Sequence, residues 1–204
     1  MPKLKTLWRL MQVLSGEPRR LLRVLDAEVE YRTQVVKTYG CAKGLPTIEW
    51  LDLFPDFEEI VEPYSFLDGG SLPTDLALLK GLARKKKGRA YFEIRTWRGE
   101  SVANVATIAE RCVSVSLSDD EMRQHGLSEQ FIRVHRYFSD HLKNVTHIRG
   151  NSRSLDYSRY AGQFDLVFID ADHTYESVKV DTTNAFRLLR NEASIIVWHD
   201  YGFS

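Results

Sequence analysis

Two apolar runs in the second half of the chain end in groups that bind cations and move protons. FDLVFID closes on Asp170, with Asp172 and His173 after it, and IIVW closes on His199 and Asp200. Carboxylates with an imidazole are a donor set for a divalent ion such as Mg²⁺ or Mn²⁺. An ion held by Asp170, His199 and Asp200 would acidify and orient a substrate hydroxyl. The same aspartates also suit a plainer role, capping the loops and helices that follow them. Asp170 and His173 are the candidates for proton transfer, since an imidazole near its ordinary pKa takes a proton at neutral pH. In a tight turn His173 serves equally well as hydrogen-bonded support. A third stretch, YFEIRTWRGES, joins an apolar run carrying Glu93 to a turn ending at Gly99 and then to a helix start. That is the layout of a strand–turn–helix on which a nucleotide-like ligand lies, although Arg95 stands where such a turn usually has glycine.

These residues act together only if the elements carrying them share one end of a sheet. Apolar runs predict strands at 90–95, 112–117, 145–149, 165–170 and 194–199, with helices at about 100–110, 120–142 and 174–190. FDLVFID is apolar throughout, as a strand buried on both faces requires. Strands separated by helices predict an α/β, Rossmann-like, doubly wound and mostly parallel sheet of about five strands, with ligands beyond the strands' carboxyl ends. Before it, Ser71 is placed to cap a helix that has Pro73 in its first turn. Residues 1–70 carry two helical stripes (Leu4 to Leu14, Leu21 to Val29) and then a proline-rich stretch. They are too sparse in apolar residues for a core of their own, so the expectation is a helical extension packed on a 71–204 domain.

Composition narrows the function. Lys+Arg and Asp+Glu both number 28, so there is no bulk electrostatic case for nucleic acid or for an acidic membrane. Cys41 and Cys112 have neither metal-ligand nor disulfide spacing. With no signal-peptide core and no membrane-length apolar run, a cytoplasmic protein with a small-molecule partner is the expectation; a homo-oligomer stays open.

YFEIRTWRGESVANVA, FDLVFIDADHTYESVKVD and IIVWHDYG together resemble a class I S-adenosylmethionine-dependent methyltransferase, nearest to the sugar and natural-product O-methyltransferases. The resemblance covers about residues 70–204. It implies S-adenosylmethionine as cofactor, with Glu93, Gly99, Glu100 and Ser101 at its loop, Asp119 nearest the ribose, and Asn151 and Ser152 nearest the adenine. Arg95, in the loop glycine's place, would enter the methionine pocket, swing outward or pair with the cofactor's carboxylate. Two further departures are RNEAS in place of a Pro-Gly-Gly turn and a chain that stops after strand five, leaving that strand as an edge. These departures favour a second reading beside O-methylation of a small molecule: a degenerate domain, or a fragment, serving in binding or assembly.

Overall fold

β1 (Ala90–Ile94) is buried at all five positions and pairs in parallel with β2 (Arg111–Ser116) on one side and β4 (Leu166–Ile169) on the other. β3 (Val145–Arg149) extends the sheet beyond β2, and β5 (Ile195–Trp198) extends it beyond β4. The order is therefore β3-β2-β1-β4-β5; every pairing is parallel, as the alternation of apolar runs and helical stripes predicts. Residues 33–40, 46–67, 69–86, 90–170 and 174–199 are described in this computed structural model. The stripes of residues 4–29, and Cys41, lie outside them. The chain divides into two compact units, Met1–Pro55 and Asp56–Ser204. In the first, a helix covers 33–39 and a short one covers Trp50–Leu53.

Alternation along β1 sorts its side chains by face. Ala90, Phe92 and Ile94 join the main apolar cluster with Val113, Val167 and Leu188. Phe92 meets Phe164 edge-on at 4.9 Å within it. Tyr91 and Glu93 point to the other face, where Ser101 meets Glu93.

Five helices serve the sheet: α1 (Pro73–Lys85), α2 (Glu100–Ala106), α3 (Asp119–Gln124), α4 (Glu129–Val134) and α5 (Tyr175–Leu188). Two local expectations are corrected. The cap of α1 is Leu72, not Ser71; its N–H donates to Asp75 Oδ2 at 2.8 Å, so the carboxylate inside the first turn does the capping. The helix expected over 120–142 is two helices, because Gly126 at φ 77° ends the first and the Ser128 hydroxyl caps the second. Before β5, where the expected family pattern has Pro-Gly-Gly, Asn191 and Ser194 close the turn through their side chains.

Candidate active site

A cleft of about 410 Å³ opens at the carboxyl ends of β1, β2 and β3. Its wall includes Trp97 stacked on Phe131, with centroids 5.0 Å apart and rings 13° from parallel. Asn151 and Ser152, following β3, form the opposite side, and Arg95, Thr96 and Ser116 come from the ends of β1 and β2. The cleft thus combines an aromatic wall with a few polar groups at a volume typical of cofactor sites, and this donor set fits an adenosine-bearing ligand.

The turn after β1 is built largely by contacts within the protein. Glu93 is 1% exposed and accepts from Tyr91 OH, Thr96 Oγ1 and Ser101 Oγ at 2.6, 2.7 and 2.8 Å. Burial raises its pKa, the nearby Asp170 charge adds to that, and the three hydroxyls oppose it. Glu93 and Ser101 therefore brace the turn from beneath and are not part of the cleft wall. Gly99 caps α2 at φ 85°, and a Cβ there would come within 2.9 Å of Ser139 Cβ. Its lack of a side chain admits the 136–139 segment, which donates from Arg136 N to Trp97 O and from Phe138 N to Arg98 O. Glu100 faces away from the cleft, accepting from Ser65 N at 2.8 Å and pairing with Arg98 at 3.1 Å.

Arg95 adopts φ 76°, the left-handed conformation that a glycine at this position would take without cost. That turn removes it from the strand's alternation. Its Nε donates to the buried Asp181 Oδ2 of α5 at 2.8 Å, and the side chain lines the cleft.

Asp119 does not line the cleft. Its carboxylate takes Arg136 Nη2 at 3.1 Å, and that hydrogen bond is the main reason its pKa falls. Arg136, itself at φ 60°, also donates to His135 Nδ1 at 2.6 Å. Burial, then the charge of Arg136, pushes the His135 imidazole down to about 4, so the cleft is walled by a neutral histidine.

Asp170 and His199 meet at the ends of β4 and β5, with His199 Nδ1 3.3 Å from Asp170 Oδ1. The other ring nitrogen, Nε2, lies 3.3 Å from Asp75 Oδ2, so the imidazole stands between two carboxylates. Burial disfavours the Asp75 charge, but His199 and the Leu72 N–H hold its pKa below the ordinary value. His173 and Asp200 lie outside the described residues. Among the described residues no group of three His, Cys, Asp or Glu side chains is placed to hold a metal ion; two of the three expected ligands come together as a pair.

Asp75, Asp181, His135 and Arg136 escaped the sequence reading. Asp75 carried a signal, an acid at the third position of a helix, but its second partner is distant in sequence. The others carried none, since each depends on a contact between separate elements.

A family model described as a methyltransferase domain matches residues 92–201, just over half of the chain. No curated protein matches it. Among solved structures, it is similar to the O-methyltransferase TomG of Streptomyces achromogenes at 22% identity, covering 64% of this chain and 57% of that one, with a TM-score of 0.47. It is similar to cofactor-bound Rv0187 from MTB at 24% identity, covering 65% and 57%, TM-score 0.46. For YcgJ of Bacillus subtilis the values are 15%, 61% and 49%, TM-score 0.45. The chain spans about half the length of such structures. The family match runs from within β1 to just past β5, the strands whose ends hold the cleft and the Asp170–His199 pair, and on it the chain belongs to the class I S-adenosylmethionine-dependent methyltransferases.

Proposed function

We propose that the chain methylates an oxygen of a small molecule, such as a sugar or a natural product, using S-adenosylmethionine. The observation that carries this reading is the cleft at the ends of β1 to β3 in a sheet whose next two strands end in Asp170 and His199. When bound, the cofactor supplies an electrophilic methyl group. Asn151 and Ser152 would hold its adenine side, and Trp97 with Phe131 would keep water from one wall. Asp170 and His199 then stand where an acceptor hydroxyl would be oriented and its proton drawn off, with His173 as a further base. With Asp200 they would also hold Mg²⁺ or Mn²⁺, whose charge would make the hydroxyl more acidic.

The reading of a binding or assembly module is favoured by one observation, the engagement of Arg95 with Asp181 in the turn that should receive the cofactor. Calorimetric titration with S-adenosylmethionine separates the two, followed by methyl-transfer assays on a panel of sugars and phenols with Mg²⁺ present. Binding in the micromolar range and transfer to one hydroxyl class is the expected result. Binding without transfer to any acceptor would favour the module.

A further inference from the structure

Asp75 serves two partners through one oxygen. At the third position of α1 its Oδ2 accepts the Leu72 N–H at 2.8 Å, which caps the helix and fixes the direction of the carboxylate. The same atom lies 3.3 Å from Nε2 of His199, at the end of β5 and 124 residues further along the chain. The backbone of His199 is pinned by its N–H to Ile169 O at 2.9 Å, and Phe168 stands edge-on to the ring at 5.9 Å. A carboxylate offers only acceptors, so the ring nitrogen aligned with it carries the proton. Each nitrogen of His199 has a carboxylate at 3.3 Å, and distance does not choose between them. Alignment does: the contact of Nε2 with Asp75 has hydrogen-bond geometry, and that of Nδ1 with Asp170 lacks it.

We infer that Asp75 is a positioning residue for His199, keeping the ring proton on Nε2 and the ring's lone pair on Nδ1, turned to Asp170. What the lone pair does there rests on the O-methylation reading above; where the proton sits does not. On that reading Nδ1 is the atom of His199 that draws off the acceptor's proton or helps to hold a cation beside Asp170, and either role needs the other nitrogen to carry the hydrogen. The opposite tautomer would aim an N–H at Asp170 and turn the lone pair to α1. The first turn of α1 thus decides, from outside the strand ends, which edge of the imidazole serves the site.

The test is nitrogen-15 NMR of the full chain at about pH 9.5, where an imidazole is neutral and its two nitrogens report which of them is protonated. His199→Gln identifies the signals. Wild type should carry the proton on Nε2, and Asp75→Ala should move it to Nδ1, toward Asp170. Asp75→Asn keeps one oxygen for both partners, so it should return the proton to Nε2. A helix cap with no second role would lose stability in Asp75→Ala and leave the tautomer in place. With a methyl acceptor in hand, kcat in Asp75→Ala should fall by about 10²- to 10⁴-fold, the usual contribution of a general base, with KM for S-adenosylmethionine unchanged. If Asp75→Ala does not fold, Asp170→Ala decides, since the proton should stay on Nε2 without Asp170. A wild-type proton on Nδ1, or one that stays on Nε2 in folded Asp75→Ala, overturns the assignment. So does a proton that leaves Nε2 in Asp170→Ala, or a moved proton with undiminished turnover. A moved proton with no transfer to any acceptor keeps the assignment of the tautomer and removes the methyl-transfer reading.

Discussion

Gly99 and Asp170 show how differently single residues serve this site. At Gly99 the demand is steric, since the left-handed backbone and the approach of Ser139 each exclude a side chain. Gly99→Ala should therefore destabilise the fold by about 2–3 kcal/mol, the sum of backbone strain and overpacking. Chemical denaturation measures it, and a loss under about 0.5 kcal/mol would show that the 136–139 segment moves aside freely. At Asp170 the demand is electrostatic. If Asp170 and His199 hold a divalent ion, saturating Mg²⁺ or Mn²⁺ should add about 3 kcal/mol by mass action, or roughly 5–10 °C in Tm for a chain this size. Asp170→Asn should remove that gain. An unchanged wild-type Tm in both metals would leave the pair as an acid–base unit or a structural one.

At the scale of elements, the turn after β1 is backed by a strap that the sequence shows only as a proline-rich loop. Residues 59–67 run along α1 and α2. Glu59 accepts from Arg84 at 2.8 Å, Lys80 donates to the Ile60 carbonyl, and Leu67 O accepts from Arg98 at 3.2 Å. The fastening between these is Asn104 of α2, fully buried, which takes Glu62 N at 2.8 Å and gives Nδ2 to Pro63 O at 2.7 Å. Asn104→Ala should cost about 2–3 kcal/mol in lost hydrogen bonds and loosen the strap. Phe66 and Leu67, already 93% and 61% exposed, are the sites where limited chymotrypsin digestion should then accelerate. Digestion at the wild-type rate would mean that the contacts of Glu59, Ser65 and Leu67 hold the strap without Asn104. The strap also shows what the sequence withheld. Apolar runs place every strand of the sheet to within about two residues; β1 and β4, buried at every position, leave the plainest local record. Asn104, Asp181 and Arg136 leave none, being polar residues in helices or turns whose partners lie on other elements. Gly126 and Ser128 did carry the signals of a helix stop and a helix start inside the stretch read as one helix over 120–142.

For the whole molecule, the buried histidines set how the fold responds to acid. Burial, then the Arg136 charge, brings His135 down to about 4, and burial lowers His147 as well. Once unfolded, each regains an ordinary value near 6.5. Between about pH 6.5 and 4 the unfolded chain therefore binds protons that the folded chain refuses, and stability falls as pH falls through that window. Glu93 opposes this, because its raised pKa makes the folded state the better proton acceptor above the ordinary carboxyl range. The depressed carboxylates act lower, since Asp119 and Glu121 lose their contribution only as pH falls below ordinary carboxyl values. His135→Gln isolates one histidine while keeping an acceptor for Arg136. Between pH 6 and 4.5 the wild-type stability should decline more steeply than the variant's by up to about 1.4 kcal/mol per pH unit, the slope of one proton. Urea denaturation across that range reads the difference. Parallel slopes would mean that His135 is reached by solvent protons in the folded state, and the neutral imidazole in the cleft wall would have to be given up.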